Sequence, residues 1–167
     1  MATPEKRWML EQLRRLSDDG NRYEVVHGEL FVTPAPRRSH EIILARLNDI
    51  LVPFVRDHRW SMVFRQRAAV RFDGSGVEPD SMAQQAYAIA ESSWDTAPTP
   101  ILVVEMLSDV TRRRDLGVKR VLYLGADVTD YWVVEEDTKS VRVIRNGVPD
   151  GVVTGEMHGG QSPQRTC

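Results

Sequence analysis

The sequence predicts one α/β domain, on the border of α+β, in which β-strands flank two helices around a buried central strand. Three observations support this class. Short β-like runs alternate with two segments that have helical apolar spacing. The run ILVVEML is apolar at consecutive positions, which is typical of a strand buried on both faces. The 167 residues, 41% hydrophobic and 28% charged, suit a single globular domain with a substantial core.

The first part of the chain predicts a short amphipathic helix over residues 4–16 and then a β-hairpin with an N-terminal strand in RYEVV. The hairpin turns at His27-Gly28, because glycine at the second turn position permits the positive φ of a tight turn. A long helix is expected from Ser39, a candidate N-cap residue. Its apolar positions at helical spacing are Ile43, Leu47, Ile50, Leu51 and Phe54.

The second part of the chain predicts the centre of the sheet and its closing hairpin. Residues 60–73 contain two β-like runs, and residues 101–107 form the expected central strand. A helix then runs to about Leu124, with capping candidates Ser108 and Thr111. The segment DYWVVEEDTKSVRVIRN predicts a hairpin. We expect one domain over residues 1–150 and a loose tail over residues 151–167.

Charge and cysteine content narrow the classes of function. The 22 basic and 24 acidic residues give a net charge of −2, which excludes a generally cationic nucleic-acid coat. The single cysteine, Cys167, excludes an intrachain disulfide and argues against a thiolate zinc site or a cysteine nucleophile. We expect a cytoplasmic protein, because the N-terminal segment also has no apolar run of signal-peptide or membrane-spanning length.

Glu105 is the strongest anomaly, because an unpaired carboxylate in a buried strand is costly. A metal ion that prefers oxygen ligands would compensate its charge, and Asp80 in VEPD is the natural second ligand. Lys119 is one of only three lysines in an arginine-rich chain, which hints at a need for a compact ammonium. Each residue also has an ordinary interpretation: Asp80 as a turn residue, Glu105 as a strand-end residue facing solvent or an arginine, and Lys119 as a surface partner of Asp115.

The chain resembles the Uma two family of predicted endonucleases, a group within the PD-(D/E)XK nuclease superfamily. The matching motifs are RYEVVHGEL, TPAP with SHEIILARL, VEPD, VVEMLS, TRRRDLGVKRVLY and DYWVV, in the order of the family. They span about residues 8–147, so the C-terminal tail lies outside the resemblance. VEPD alone is unspecific, whereas VVEMLS followed by the arginine-rich and YWVV motifs is quite specific.

The resemblance implies a restriction-endonuclease-like core, a mixed central β-sheet flanked by helices, that binds Mg²⁺ or Mn²⁺ and cleaves nucleic acid, with DNA favoured over RNA. It makes Asp80, Glu105 and the Met106 backbone carbonyl the metal ligands. The lysine that usually follows the glutamate by two residues is replaced here by Leu107, and the resemblance suggests Lys119 as its substitute. Glu29 and His40 match family positions that could line the site. A homodimer is also implied, since two copies would suit a duplex.

Three functions remain open from the sequence. The leading one is metal-dependent phosphodiester hydrolysis, with Lys119 orienting the attacking water. The second is a catalytically silent nucleic-acid-binding or assembly module, favoured by the polar SMAQQ segment after VEPD. The third, a small-molecule-binding protein, has no signature in the sequence. Candidate phosphate-binding residues are Arg37, Arg38, Arg65, Arg67, Arg112, Arg113 and Arg114.

Overall fold

The computed structural model describes residues 7–16, 18–58, 61–65, 68–85 and 93–154. Within these ranges, the chain forms two β-sheets and two main helical segments. The elements in chain order are α1 (Leu10–Leu13), β1 (Arg22–Val26), β2 (Glu29–Thr33), α2 (Arg38–Asp57), β3 (Ser61–Arg65), β4 (Val70–Phe72), β5 (Ser75–Val77), β6 (Ser81–Gln85), β7 (Leu102–Leu107), α3 (Arg112–Arg114), a π-helical turn (Asp115–Lys119), α4 (Arg120–Gly125), β8 (Asp130–Glu135), β9 (Ser140–Arg145) and β10 (Val148–Thr154).

The larger sheet has six strands in the order β10-β9-β8-β7-β6-β3. It is mixed, because β7 and β8 are parallel while the other neighbouring strands are antiparallel. The helical segment formed by α3, the π turn and α4 makes the crossover that a parallel pair requires. The predicted mixed α/β class with a central strand near 101–107 is therefore confirmed, and every residue of β7 is buried.

The smaller sheet has the order β2-β1-β5-β4 and contains the predicted hairpin. His27 and Gly28 have φ values of 51° and 87°, so both turn positions are left-handed, as a tight hairpin turn requires. One face of the larger sheet packs on this smaller sheet. Its core joins Val26, Val70 and Val77 of the smaller sheet to Val103 and Tyr123 of β7 and α4.

The opposite face of the larger sheet is covered by α2. Leu47, Leu51 and Val55 of this helix pack on Val104 and other residues of the sheet, which forms a second apolar cluster. Because both faces of the larger sheet are covered, β7 is an almost continuous apolar run in the sequence. β7 therefore lies at the centre of the molecule, and a polar side chain on it must find partners inside.

Three boundaries differ from the sequence expectations. The helix expected over residues 4–16 is observed only over Leu10–Leu13, with residues 1–6 outside the described ranges. The N-cap of α2 is Arg37 rather than Ser39. The tail expected to be loose from residue 151 begins as a strand, because β10 pairs with β9 as far as Thr154. Residues 155–167 of that tail lie outside the described residues.

Candidate active site

Asp80 and Glu105 lie at facing positions of two neighbouring strands. Ser81 pairs with Val104 at the start of β6, so Asp80 and Glu105 are the next positions outward on the two chains. Glu105 also shares a face of β7 with Val103 and Leu107, because side chains alternate along a strand. This face is the one covered by the hairpin and the crossover helix. The sheet register thus brings together the two carboxylates that the sequence singled out.

Asp80 is 1% exposed, and its two oxygens accept hydrogen bonds from different parts of the chain. The Met106 backbone N–H donates to Oδ2 at 2.8 Å. The Arg22 guanidinium donates to Oδ1 at 2.7 Å, and His40 Nε2 lies 3.5 Å from the same oxygen. Burial alone would raise the pKa of Asp80, but His40, Arg22 and the Met106 N–H hold it well below its usual range. Asp80 is therefore an anion at neutral pH.

Glu105 is also 1% exposed and is held at one oxygen by two donors. Lys119 Nζ and the Tyr123 hydroxyl each donate to Oε1 at 2.8 Å. Burial raises the pKa of Glu105 to about 7, against the charge of Lys119, and the negative charges of Asp80 and Asp115 add to the rise. The side chain that seemed out of place in an apolar run is thus fully enclosed and paired.

Lys119 is fully buried between two glutamates. Its Nζ lies 2.8 Å from Glu105 Oε1 and 2.8 Å from Glu24 Oε1, and 3.9 Å from Asp115 Oδ1. Burial alone would lower the pKa of Lys119, but the two glutamates outweigh burial and raise it. The ion pair between Lys119 and Asp115 that the sequence suggested is present, but it is buried rather than on the surface. Lys119 is therefore a charged donor and not a general base.

Glu24, on β1, is the residue that sequence reasoning missed. Its Oε1 accepts from Lys119 and from the backbone N–H of Glu78, at 2.8 and 2.9 Å. Its Oε2 lies 3.4 Å from Arg114 Nη1. Burial alone would raise the pKa of Glu24, but Lys119, Arg22 and Arg114 hold it below its ordinary value. The available signal was the same as for Glu105: a carboxylate inside the apolar run YEVV.

A cleft of about 430 Å³ opens beside Asp80. Its lining includes Arg22, Arg37, His40, Asp80 and Met106, whereas Glu105 and Lys119 do not reach it. The Lys119 side chain is 0% exposed. The role of orienting the attacking water, which the sequence suggested for Lys119, therefore has no direct route in this conformation, because its ammonium is enclosed behind Glu105.

The remaining residues predicted for the site are spread more widely. His40 lines the cleft as expected, but Glu29 is exposed at the start of β2 and forms no ion pair within the described ranges. Arg114 must be withdrawn from the phosphate-binding set, because it is 8% exposed and donates to Thr33 and Asp115 inside the protein. The exposed arginines of that set are Arg37, Arg38, Arg65, Arg112 and Arg113, and Arg67 lies outside the described residues.

The oxygen atoms at this site are of the type that a divalent cation such as Mg²⁺ prefers as ligands. Asp80 and Met106 offer hard oxygen atoms at the cleft, and Glu105 lies at the facing position. Seven charged side chains meet here, three basic and four acidic, so the cluster carries one excess negative charge when all are ionised; they are Arg22, Glu24, Asp80, Glu105, Arg114, Asp115 and Lys119. Within the described ranges, no three His, Cys, Asp or Glu side chains are grouped to hold a metal. Any protein ligation would thus rely on two carboxylates and a backbone oxygen.

Comparison with a solved structure supports the fold described above. A crystal structure from Anabaena variabilis ATCC 29413, described as a putative nuclease belonging to DUF820, superposes with a TM-score of 0.75 and 17% sequence identity. The match covers 89% of this chain and 85% of the other, so the two proteins share a fold. No curated protein matches the sequence.

The family assignment follows from a second comparison. Residues 10–164 match the model of the Uma2 family, which is described as "Putative restriction endonuclease". The chain therefore belongs to the Uma2 family, as its motifs predicted. The match also extends into the C-terminal tail, which the motifs did not reach. Restriction-endonuclease-like families generally use divalent metal ions, and their substrate is nucleic acid.

Proposed function

We propose that this protein is a metal-dependent endonuclease that hydrolyses phosphodiester bonds in DNA at the cleft beside Asp80. The observation that carries the proposal is the pairing of Asp80 and Glu105 at facing strand positions, with one of them on the cleft wall. Asp80, Glu105 and the Met106 carbonyl would hold Mg²⁺ or Mn²⁺. When bound, such an ion lowers the pKa of a water molecule and neutralises charge on the phosphate.

The protein's own residues have separate roles in this proposal. Asp80 is ionised at neutral pH and so is ready to bind a cation. Lys119 neutralises Glu105 and fixes its Oε1 from inside, together with Tyr123. Lys119 therefore acts on the reaction through Glu105. This differs from the direct contact with water that the superfamily resemblance suggested.

DNA binding is assigned to exposed arginines near the cleft. Arg37 lies on the cleft wall, and Arg38 is the first residue of α2. Arg112 and Arg113 are exposed at the start of the crossover helix. Such residues hold phosphates without reading bases. Homodimerisation stays a prediction of the family resemblance.

A silent nucleic-acid-binding module on the same fold is the second candidate. The observation that favours it is that both carboxylates already have internal cations, Arg22 on Asp80 and Lys119 on Glu105. The polar SMAQQ segment no longer supports it, because this segment forms β6 with Met82 and Ala83 fully buried. Binding of DNA without cleavage is its expected behaviour.

The test is plasmid nicking by the purified chain with Mg²⁺, with Mn²⁺ and with a chelator. We expect nicking only with a divalent ion, and a loss of about a hundredfold in Glu105→Gln, since even the outer partners of metal ligands contribute about 10- to 100-fold. Asp49→Asn, a carboxylate-to-amide change at an exposed position of α2, is the matched control and should nick like the wild type.

Two results would decide against the proposal. Nicking by Glu105→Gln at the wild-type rate, or in the presence of chelator, would assign the activity to another site. DNA binding by the wild type with no cleavage in either metal would favour the silent module.

A further inference from the structure

Arg22 lies beside Asp80 on the wall of the cleft. Its Nη1 donates to Asp80 Oδ1 at 2.7 Å and to the Glu78 carbonyl at 2.9 Å. The side chain is 17% exposed and lines the cleft. Asp80 Oδ2 is turned inward to the Met106 N–H. The oxygen of Asp80 bonded to Arg22 is therefore the one that is not committed to the backbone of β7.

The Arg22–Asp80 pair has fewer direct hydrogen bonds than another arginine–carboxylate pair of this protein. Arg120 binds Asp150 through both terminal nitrogens, at 2.6 and 2.8 Å, the two-bond geometry that gives arginine pairs their strength. Arg22 binds Asp80 through one nitrogen only. Its buried Nε has no hydrogen-bond partner and lies 4.0 Å from Glu24 Oε2, which also has none. A cation that binds Asp80 Oδ1 therefore has one charged hydrogen bond of Arg22 to replace at that oxygen.

Arg22 and a divalent ion would compete for Asp80. A magnesium-sized ion needs a carboxylate oxygen at about 2.1 Å. A guanidinium hydrogen-bonded to the same oxygen would then lie within a few ångström of the ion, and like charges at that separation repel strongly where water is partly excluded. Both cations cannot hold Oδ1 favourably at once.

The charge balance favours an exchange of the two cations. With Glu105 ionised, His40 neutral and Arg22 in place, the seven acidic and basic side chains of the cluster carry one excess negative charge. If Arg22 swings into the cleft and a doubly charged ion takes its place, the enclosed group becomes neutral. Neutral buried groups are the less costly state.

We propose that Arg22 is an internal counter-ion of Asp80 that a divalent cation displaces, so that Arg22 sets the affinity of the site for metal. The inference rests on the proposed function, since it takes Asp80 as a metal ligand. Displacement moves the guanidinium from Asp80 into the cleft, where it faces the phosphate of a bound nucleic acid. Arg22 is thereby a positioning residue that couples metal binding to substrate binding.

The first test measures Mn²⁺ binding by isothermal titration calorimetry, without DNA and without turnover. Arg22→Gln should bind Mn²⁺ about tenfold more tightly than the wild type, because a positive charge a few ångström from the ion is gone. Arg56→Gln, which changes a guanidinium that is 75% exposed, is the matched control and should bind like the wild type. Asp80→Asn should abolish binding.

The outcomes separate this inference from the proposed function. Unchanged or weaker binding by Arg22→Gln, with binding still lost in Asp80→Asn, overturns the counter-ion role and leaves the metal site standing. No Mn²⁺ binding by the wild type, or binding that survives in Asp80→Asn, overturns both.

A second measurement keeps the inference testable if Arg22→Gln does not fold. Arginine side-chain ¹⁵N NMR of the wild type, titrated with Mg²⁺, should show the Arg22 signals move and lose their protection from exchange. Arg22→Lys identifies these signals by their absence. Arg22 signals that stay unchanged while Mg²⁺ binds would overturn the exchange.

Discussion

Single residues on the two central strands show how a buried charge is tolerated. Glu105 and Glu24 each lie inside an apolar run, and each is paired with Lys119, which is distant in the sequence. Lys119 bridges them, so its removal would leave two buried glutamates without their shared cation. These residues act as a unit, and no one of them has a separable energy.

The two buried tyrosines above β7 allow a matched test. Tyr123 donates to the Glu105 carboxyl group, which is ionised above its pKa of about 7, at 2.8 Å, and Tyr131 donates to the neutral backbone carbonyl of Asp115 at 2.9 Å. Both side chains are fully buried. Because hydrogen bonds to charged groups contribute more, we expect Tyr123→Phe to lower the free energy of unfolding by about 2–3 kcal/mol and Tyr131→Phe by about 1 kcal/mol. Urea denaturation of both variants at a pH well above the Glu105 pKa of about 7 measures this, and an equal loss would contradict a charged Glu105.

At the scale of elements, the π-helical turn aligns two cations on one carboxylate. Arg114 and Lys119 are five residues apart, a spacing that does not share a face in an α-helix. The wider Asp115–Lys119 turn brings both side chains to Glu24, at 3.4 and 2.8 Å. A regular helix would direct one of them elsewhere. The irregular turn is thus part of how the site is built.

Gly117, inside the π turn, provides a test of this element. A Cβ built there meets no atom within 4 Å, and its φ is not positive. Since glycine is about 0.5–1 kcal/mol less favourable than alanine in a helix, Gly117→Ala should raise the free energy of unfolding by that amount. Gly74→Ala is the control: its Cβ also has open space, but φ is +71°, so it should destabilise by about 1 kcal/mol. The denaturation midpoints of both variants test these two expectations. A destabilised Gly117→Ala would mean that the turn itself requires glycine.

The long helix shows the limit of apolar spacing as a guide. α2 forms as predicted, and Leu47 and Leu51 are buried, but Ile50 and Phe54 are 54% and 45% exposed. The buried side runs through Leu44, Asn48 and Val55 instead. The larger sheet, on which α2 packs, determines which side of the helix is buried.

At the scale of the whole molecule, the cleft lies where the β1–β2 hairpin, the start of α2 and the end of β7 meet. The described part of the chain includes no helix long and apolar enough to span a bilayer. The charged cluster behind the cleft joins both sheets, because Glu24 belongs to the smaller sheet and Glu105 to the larger. Its ionisation should therefore affect the stability of the entire fold.

Stability of the metal-free protein should fall in acid, and Glu24 supplies a testable part of that loss. The pKa of Glu24 is lowered from its ordinary value of 4.5 in the folded protein. A lowered folded-state pKa gives stability that is present above pH 4.5 and is lost as pH falls through the folded value. Urea midpoints from pH 7 down to pH 3, in chelator, should drop less steeply below pH 4.5 in Glu24→Gln than in the wild type. Parallel curves would show that Glu24 is not held ionised by its neighbours.

The sequence alone determined the class of fold, the hairpin, the buried central strand and the two carboxylates, because apolar periodicity, turn residues and charges in apolar runs are local signals. The scarcity of lysine drew attention to Lys119, and the family motifs supplied its proposed role and the nuclease class. Only the tertiary structure decided that Glu24 and Arg22 belong to the cluster, that Arg114 is enclosed, and that Lys119 is hidden from the cleft. Those facts depend on which strands become neighbours and in what register, and contacts between distant segments leave no periodic trace along the chain.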